Sequence, residues 1–135
     1  QLEIDQYTIT AGISLFDGRV WSQTRAYWID PDERIQGEDE TFAVEERLTY
    51  YAVPDKLSLS LYGLLGQRLF AYDPDIFAVY NLADLQEGSL GGTVSYQLTP
   101  ALSILGDVTY EAYENNDLRD EYGVVYGTAN LTYTF

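Results

Sequence analysis

The chain has 135 residues, a formal net charge of −15 at pH 7, and neither Cys nor His. The missing Cys rules out disulfides and thiolate chemistry, and the missing His rules out Ser-His triads and the usual zinc ligands. A charge this negative argues against nucleic acid as a partner. No apolar run reaches the roughly 18 residues that a membrane-spanning helix needs, so a helical membrane protein is excluded.

The first part of the chain predicts a β-hairpin. Apolar and polar residues alternate from Ile4 to Phe16, and a period of two residues is the mark of a strand. Asp17-Gly18 suits a two-residue turn, because both residue types tolerate positive φ. The second predicted strand, residues 19–29, alternates less regularly, and we expect its Gln23 and Arg25 to point inward.

Residues 30–40, with the sequence DPDERIQGEDE, predict a polar loop rich in acidic side chains. It does not match an EF-hand, because Arg34 and Ile35 stand where an oxygen ligand and the turn glycine are needed. A solvated acidic loop is the favoured interpretation, and weak binding of divalent cations is the alternative. A second acidic loop is predicted at residues 114–121.

The middle of the chain predicts two more strands, Thr41–Val53 and Leu57–Ala71, joined by the short turn 54–56. Glu46 falls in the apolar row of the third strand and breaks its pattern. Either a β-bulge turns this side chain inward, or that row does not face lipid at this point.

Residues 72–86 allow three interpretations. The Asp73-Pro74-Asp75 segment is able to cap a short helix that runs to Leu85. Alternatively, residues 76–82 form a short strand. The spacing of the turns favours a third interpretation, in which residues 72–87 are a long loop.

The last part of the chain has the most regular alternation. Two runs of about ten residues flank a turn at residues 98–101, and a final strand is predicted from Tyr122 to Phe135. About ten residues is the length that a tilted strand needs to cross a bilayer. The polar row of the second run carries Asp107 and Glu111.

Short turns alternate with long connections along the chain, which in an up-and-down sheet places all short turns at one end. The aromatic residues of the apolar rows then form two girdles around an aliphatic band, as in membrane barrels. The predicted girdle residues are Tyr7, Phe42, Tyr50, Tyr96, Tyr110, Tyr133 and Phe135. The sequence therefore predicts an all-β fold, an antiparallel up-and-down transmembrane β-barrel with seven or eight strands from this chain.

The polar rows would point into the lumen and carry charges of both signs, which can pair there. The members of this predicted lumen charge network are Arg25, Glu45, Arg47, Arg68, Asp107 and Glu111. A soluble lipocalin-like barrel would have the reverse polarity. Asp107 and Glu111 lie roughly 13 Å apart at about 3.3 Å per residue, too far for a glycosidase pair. We therefore expect no enzyme activity, no catalytic residues, no cofactor and no metal centre.

The ending Leu131-Thr132-Tyr133-Thr134-Phe135 and the turn segments at 50–54 and 96–103 resemble those of bacterial outer-membrane β-barrel proteins. A weaker similarity is to the C-terminal barrels of exopolysaccharide-export proteins. The resemblance implies a bacterial outer-membrane location, with the lipid bilayer as partner. It also implies an assembly signal, Leu131, Tyr133 and Phe135, that is read by the barrel-assembly machinery.

Strand parity leaves the domain organisation open, because single-chain bacterial barrels usually have an even number of strands. Three alternatives stay open. Residues 1–135 are a complete single barrel domain, they are the C-terminal part of a larger barrel, or several copies of the chain combine into one barrel. The oligomeric state is not determined by the sequence. The expected function is that of a structural anchor or a narrow, porin-like polar conduit with acidic extracellular loops. The alternative is a binding module, either through those loops or as a soluble ligand-binding barrel.

Overall fold

The computed structural model of the chain describes residues 4–31, 38–73, 78–115 and 118–135, with side chains except at 4, 69–73 and 78–83. Its seven strands are β1 (Ile4–Leu15), β2 (Val20–Pro31), β3 (Thr41–Val53), β4 (Leu57–Asp73), β5 (Ala78–Thr99), β6 (Leu102–Asn115) and β7 (Asp120–Tyr133). Within the described ranges, no helix is long and apolar enough to cross a membrane.

Each strand pairs antiparallel with the next, giving one seven-stranded sheet in the order β1 to β7. In the described part of the chain, β1 and β7 are not paired with each other, so the sheet is open. The predicted all-β, up-and-down arrangement of consecutive hairpins is confirmed.

Residues 78–82 are the first part of β5, not a separate eighth strand. Their backbone continues the β4–β5 hairpin, because Ala78 aligns with Asp73 and Tyr80 aligns with Ala71. Of the three interpretations of this segment, the long loop at 72–87 and the short helix are therefore wrong, and the strand holds for residues 78–82; residues 74–77 lie outside the described ranges. Val79 and Tyr80 favour a strand, whereas an isolated helix of about ten residues is marginal.

The short turns form where the sequence predicts them. Asp17 and Gly18 have φ of 54° and 84°, and the Arg19 amide donates to the Phe16 carbonyl at 3.1 Å. In the second turn, Asp55 has φ of 57° and the amide of Lys56 donates to the carbonyl of Val53 at 3.0 Å. Asp tolerates this backbone conformation better than most residues.

The sheet has only a small buried core among the described side chains. Tyr27, Ala43 and Leu64 form a cluster that is at most 2% exposed. It lies on one face of β2, β3 and β4, near the end of the sheet at which β2 connects to β3, β4 to β5 and β6 to β7. This is the end where the sequence predicts the long connections. Most other large apolar side chains are exposed, so this core contributes little of the burial that usually stabilises a domain.

A β-bulge in β4 depends on Gly66. Between Leu65 and Arg68, β4 has one residue more than the segment of β5 that it pairs with. Gly66 has φ of 109°, and a Cβ at this position would lie 2.5 Å from the carbonyl oxygen of Phe42. Arg68, four residues after the inward-facing Leu64, lies on the polar face beyond this register shift.

Replacing Gly66 with Ala should lower the free energy of unfolding by about 2 kcal/mol or more, because the new side chain meets backbone at a left-handed φ. The measurement is urea-induced unfolding followed by intrinsic fluorescence. Gly106→Ala is the matched control, since no atom lies within 4 Å of a Cβ there and its change should stay within about 0.5 kcal/mol. Equal effects of the two substitutions would contradict this account of the bulge.

Candidate functional site

The alternation of side chains gives the sheet two chemically different faces. We call the polar face the one that carries Arg25, Glu45 and Asp107, and the apolar face the one that carries Ile9, Leu61 and Val108. Register keeps each row continuous between strands: Arg25 aligns with Glu45 and Leu48 aligns with Leu61. The polar face is concave, because side chains of β4 reach residues on both β2 and β6.

The apolar face is exposed on every strand. Leu65 is 80% exposed, Ile9 75% and Val125 69%. Other exposed members of this face are Ile13, Leu48, Leu59, Leu61, Leu90, Val94, Val108 and Leu131. Contiguous apolar surface on this scale is rare on soluble monomers.

The apolar face also carries the predicted girdle residues. At the end with the long connections, Tyr7 and Phe42 flank Trp28 in the register. The rings of Tyr7 and Trp28 stack with centroids 5.3 Å apart, and the Trp28 indole donates to Glu40 at 3.0 Å. Tyr110 lies toward the same end. Trp28 was not among the predicted girdle residues, because the weak alternation of β2 hid its face.

The remaining girdle residues lie toward the short turns. Tyr50 and Tyr96 are near the ends of β3 and β5, and the Lys56 ammonium lies 5.8 Å from the centroid of the Tyr96 ring. Tyr133 packs edge-on against Phe135, with ring centroids 5.2 Å apart. Leu131, the third residue of the predicted assembly signal, is exposed on the apolar face.

All six residues of the predicted charge network lie on the polar face. Their contacts are largely with hydroxyl groups and tyrosine rings. The Arg47 guanidinium lies 4.4 Å from the centroid of the Tyr62 ring. Arg25 donates from Nε to the Thr10 hydroxyl at 3.2 Å. A cation–π contact such as that of Arg47 with Tyr62 stabilises a fold by about 0.5–2 kcal/mol.

Asp107 is the acceptor at the centre of one hydrogen-bond cluster. It accepts hydrogen bonds from the hydroxyls of Thr93 at 2.9 Å, Tyr62 at 3.0 Å and Thr109 at 3.0 Å. Tyr62 lies on β4, two strands away from β6. Its ring crosses β5 directly over Gly91, where a Cβ would lie 2.3 Å from the ring. The absence of a side chain at Gly91 therefore makes this cluster possible.

Glu111 is the acceptor of a second cluster, near the long connections. It is 5% exposed and accepts hydrogen bonds from the hydroxyls of Tyr113 and Tyr126. Asp107 and Glu111 do not form one carboxylate pair, but Tyr126 connects their clusters, because its hydroxyl also hydrogen-bonds Thr109. Each cluster satisfies its charge with hydroxyl donors, which offsets part of the cost of burial.

Arg68 reaches across β3 in the same way that Tyr62 reaches across β5. Its guanidinium lies 4.3 Å from the centroid of the Tyr27 ring on β2. On β3, which lies between these strands, the residue aligned with Tyr27 is Ala43, which is fully buried. The Nε and Nη2 of Arg68 and the Oε1 of its neighbour Gln86 have no hydrogen-bond partner. These atoms are the least satisfied polar groups of the described interior.

Glu46 stays on the apolar face. Its register runs unbroken from Thr24 to Glu46 to Gly63, so the β-bulge that would have turned it inward is not there. Its carboxylate accepts hydrogen bonds from Ser22 at 2.6 Å and Thr24 at 2.5 Å, which are on the same face. The three residues form a polar patch on a surface that is otherwise apolar.

In the part of the chain that the structure describes, no group of three acidic side chains is arranged to hold a metal ion. Parts of both acidic loops, 32–37 and 116–117, lie outside that part, so cation binding there stays a prediction. No protein-family model, curated protein or solved structure matches this chain.

The sequence predicts that the six charged residues lie in inward rows together with tyrosines, but it does not predict which tyrosines contact them. Tyr27, Tyr62, Tyr113 and Tyr126 all occupy polar rows, where an aromatic ring is an ambiguous signal. The informative signal is a small residue, such as Gly91, that aligns with the long side chain on the adjacent strand. Recognising this signal requires the register between strands, which cannot be read from the sequence.

Tyr62→Phe should lower the free energy of unfolding by about 1–2 kcal/mol, because the hydroxyl that bridges β4 to Asp107 is lost. Tyr51→Phe is the matched control: Tyr51 is on the same face but exposed. A double-mutant cycle of Tyr62→Phe with Asp107→Ala, measured by urea unfolding, should give a coupling of at least about 0.5 kcal/mol. Additive effects of the two substitutions would contradict a direct bridge.

Proposed function

We propose that this chain forms the wall of an outer-membrane β-barrel and serves as a rigid structural anchor that presents acidic loops outside the cell. The single observation that carries the proposal is the distribution of polarity between the two faces. Exposed aliphatic and aromatic side chains cover the convex face, and hydrogen-bonded charges lie on the concave face. Lipid outside and a polar interior is the arrangement found in transmembrane barrels.

The aromatic residues support the same proposal. Tyr7, Trp28 and Phe42 form a row at one height, and Tyr50, Tyr96 and Tyr133 lie toward the opposite end of their strands. Amphipathic rings are favoured at the two interfaces of a bilayer, where one edge meets lipid and the other meets water. A soluble sheet has no comparable reason to hold aromatic rings at two heights on its exposed face.

Side chains that cross the concave face favour an anchor over a conduit. Tyr62 extends over Gly91 to β6, and Arg68 extends across β3 to Tyr27. These long side chains fill the space in front of the sheet and connect strands that are not neighbours. In a barrel of about eight strands, side chains of this size fill the interior.

The interior chemistry argues against a lipocalin-like soluble barrel. Such a barrel holds its ligand against an apolar inner wall. Here the inner wall carries Arg47, Asp107 and Glu111, and its donors and acceptors are largely engaged with one another. An apolar ligand would have to strip these groups of their partners, at a cost of about 1–3 kcal/mol for each unsatisfied group.

The proposed orientation follows from the turns. The short turns lie at one end of the sheet, and the acidic segments lie at the other end. Outer-membrane barrels have short periplasmic turns and longer extracellular loops, so the short turns are proposed to face the periplasm. The acidic connections then face the exterior.

Leu61→Arg should impair folding into phospholipid vesicles far more than Ser60→Arg. An Arg that faces lipid near mid-bilayer costs about 2–4 kcal/mol, while the polar face can accept the charge. Leu61 is 59% exposed on the apolar face, and Ser60 lies on the polar face, within hydrogen-bonding distance of Thr49 (2.9 Å). The measurement is the fraction of heat-modifiable, folded protein on an electrophoresis gel.

The wild-type chain in the same assay should fold only when detergent or lipid is present. Equal tolerance of the two Arg substitutions would mean that the faces are assigned the wrong way round. A folded, soluble monomer in plain buffer would contradict the membrane proposal itself.

The isolated chain should show negligible conductance in planar bilayers, because the crossing side chains brace the interior. A Tyr62→Ala, Arg68→Ala variant removes two of those side chains, and current through it should rise above that of the wild type. Steady, cation-selective channels from the wild-type chain would contradict the anchor and favour the polar conduit.

A further inference from the structure

The two outer strands of the sheet have long, unprotected edges. The outer edges of β1 and β7 have no strand partner among the described residues, and every residue of β7 is exposed. Natural edge strands usually carry Lys, Pro or a β-bulge that blocks further pairing. Strands β1 and β7 contain neither Lys nor Pro, and their pairing with β2 and β6 has no register shift.

The edges cannot be joined to each other in the antiparallel manner of the rest of the sheet. Successive strands alternate in direction, so β1 and β7, as the first and seventh strands, run the same way. Direct closure would therefore be a parallel pair. A closed and fully antiparallel sheet needs an odd number of additional strands. The smallest such number is one.

A second copy of the chain would supply seven strands, which is also an odd number. Its strands would be antiparallel at both junctions only if the second copy were inverted. Inversion would put the acidic loops of the two copies on opposite sides of the membrane. A second copy in the same orientation would again give parallel junctions.

We propose that β1 and β7 together form a binding site for one additional β-strand, which runs antiparallel to both and completes the sheet. This inference rests on the proposed function, because lipid cannot satisfy the backbone groups of an open edge. The mode of recognition is strand addition, in which main-chain hydrogen bonds provide affinity and alternate side chains provide specificity.

The two edges define the pattern of the strand that fits between them. Outward-facing side chains at the edges are apolar, such as Ile9 in β1 and Leu131 in β7. Inward-facing side chains are small or polar in β1, such as Thr8, whereas in β7 Thr128 stands beside the larger Val124 and Tyr126. The partner is therefore an amphipathic strand of about 12 residues, with apolar residues outward and Ser, Thr or Gly inward, in the period of two that strands require.

Charge at one end gives the partner a direction. Asp5 in β1 and Asp120 and Glu121 in β7 are exposed where these strands begin. A partner strand that runs antiparallel to β1 and β7 has its C-terminal end beside the start of both strands, between these three carboxylates. Its C-terminal end is therefore expected to carry Lys or Arg, and the attraction should weaken at high salt.

The test adds a synthetic peptide to the full chain folded in detergent micelles and follows amide hydrogen exchange. The probe has the sequence of β6 (Leu102–Asn115), which has the required alternation, with Glu111→Lys and Glu114→Lys at its C-terminal end. Alternate amides of β1 and β7 should exchange at least about tenfold more slowly with the peptide bound, as expected for new backbone hydrogen bonds. Amides of β4, inside the sheet, are the internal control.

Two further peptides separate the parts of the proposal. A scrambled peptide of the same composition, without the alternation, should protect neither edge. The unmodified β6 peptide, which ends in carboxylates, should protect both edges more weakly at low salt and about equally at high salt. Absence of protection by the Lys-containing peptide would overturn the proposal.

The competing forms of closure have their own readouts. The chain has no Cys, so Ala11→Cys can be combined in turn with Gly127→Cys, Ala129→Cys and Leu131→Cys. A disulfide within one monomer would reveal direct pairing of β1 with β7 and overturn the proposal. A second copy of the chain at the edges would protect them without peptide and would double the mass in analytical ultracentrifugation. That pair of results would also overturn the proposal. Failure of the chain to require detergent would instead overturn the proposed function.

Discussion

The structure depends on the register of its antiparallel ladder. Because side chains alternate between faces, a slip of one residue between two strands would move every charge of one strand to the other face. The register therefore holds Arg25 beside Glu45 and Leu48 beside Leu61. Where the ladder takes up an extra residue, at Gly66, the bulge still leaves Arg68 on the polar face. The pairing of the backbones therefore determines which side chains share a face, and packing between side chains follows from it.

The polar face is stabilised differently from a hydrophobic core. Its long side chains cross the neighbouring strand, so that Tyr62 reaches Asp107 over Gly91 and Arg68 reaches Tyr27 across β3. Each such bridge connects strands that are two positions apart, which the ladder alone does not do. Substitution of Gly91 should therefore disturb the Tyr62 bridge as much as substitution of Tyr62 itself.

The sequence predicts the strands well and the network poorly, for physical reasons. A period of two is a local property, so most strand ends were predicted within a few residues. Contacts such as Tyr126 with Glu111 depend on register between strands and are not local. Residues 72–86 stayed ambiguous because the capping signal after Asp73 is local, while the pairing of Val79 with Tyr72 that outweighs it is a contact between strands. Glu46 shows the converse, since its apolar-face position was evident but its hydroxyl partners were not.

The small core bears on what stabilises the chain. Tyr27, Ala43 and Leu64 bury too little apolar surface to offset the conformational entropy of ordering a domain of this length. The ladder adds hydrogen bonds whose net value in water is small, about 1 kcal/mol each. In an apolar solvent the balance changes, because an unpaired backbone group then costs several kcal/mol and the ladder becomes obligatory. In the proposed bilayer location, the exposed apolar face and the ladder would therefore stabilise the fold together. The unpaired edges of β1 and β7 are the part of the sheet for which that environment is least tolerant.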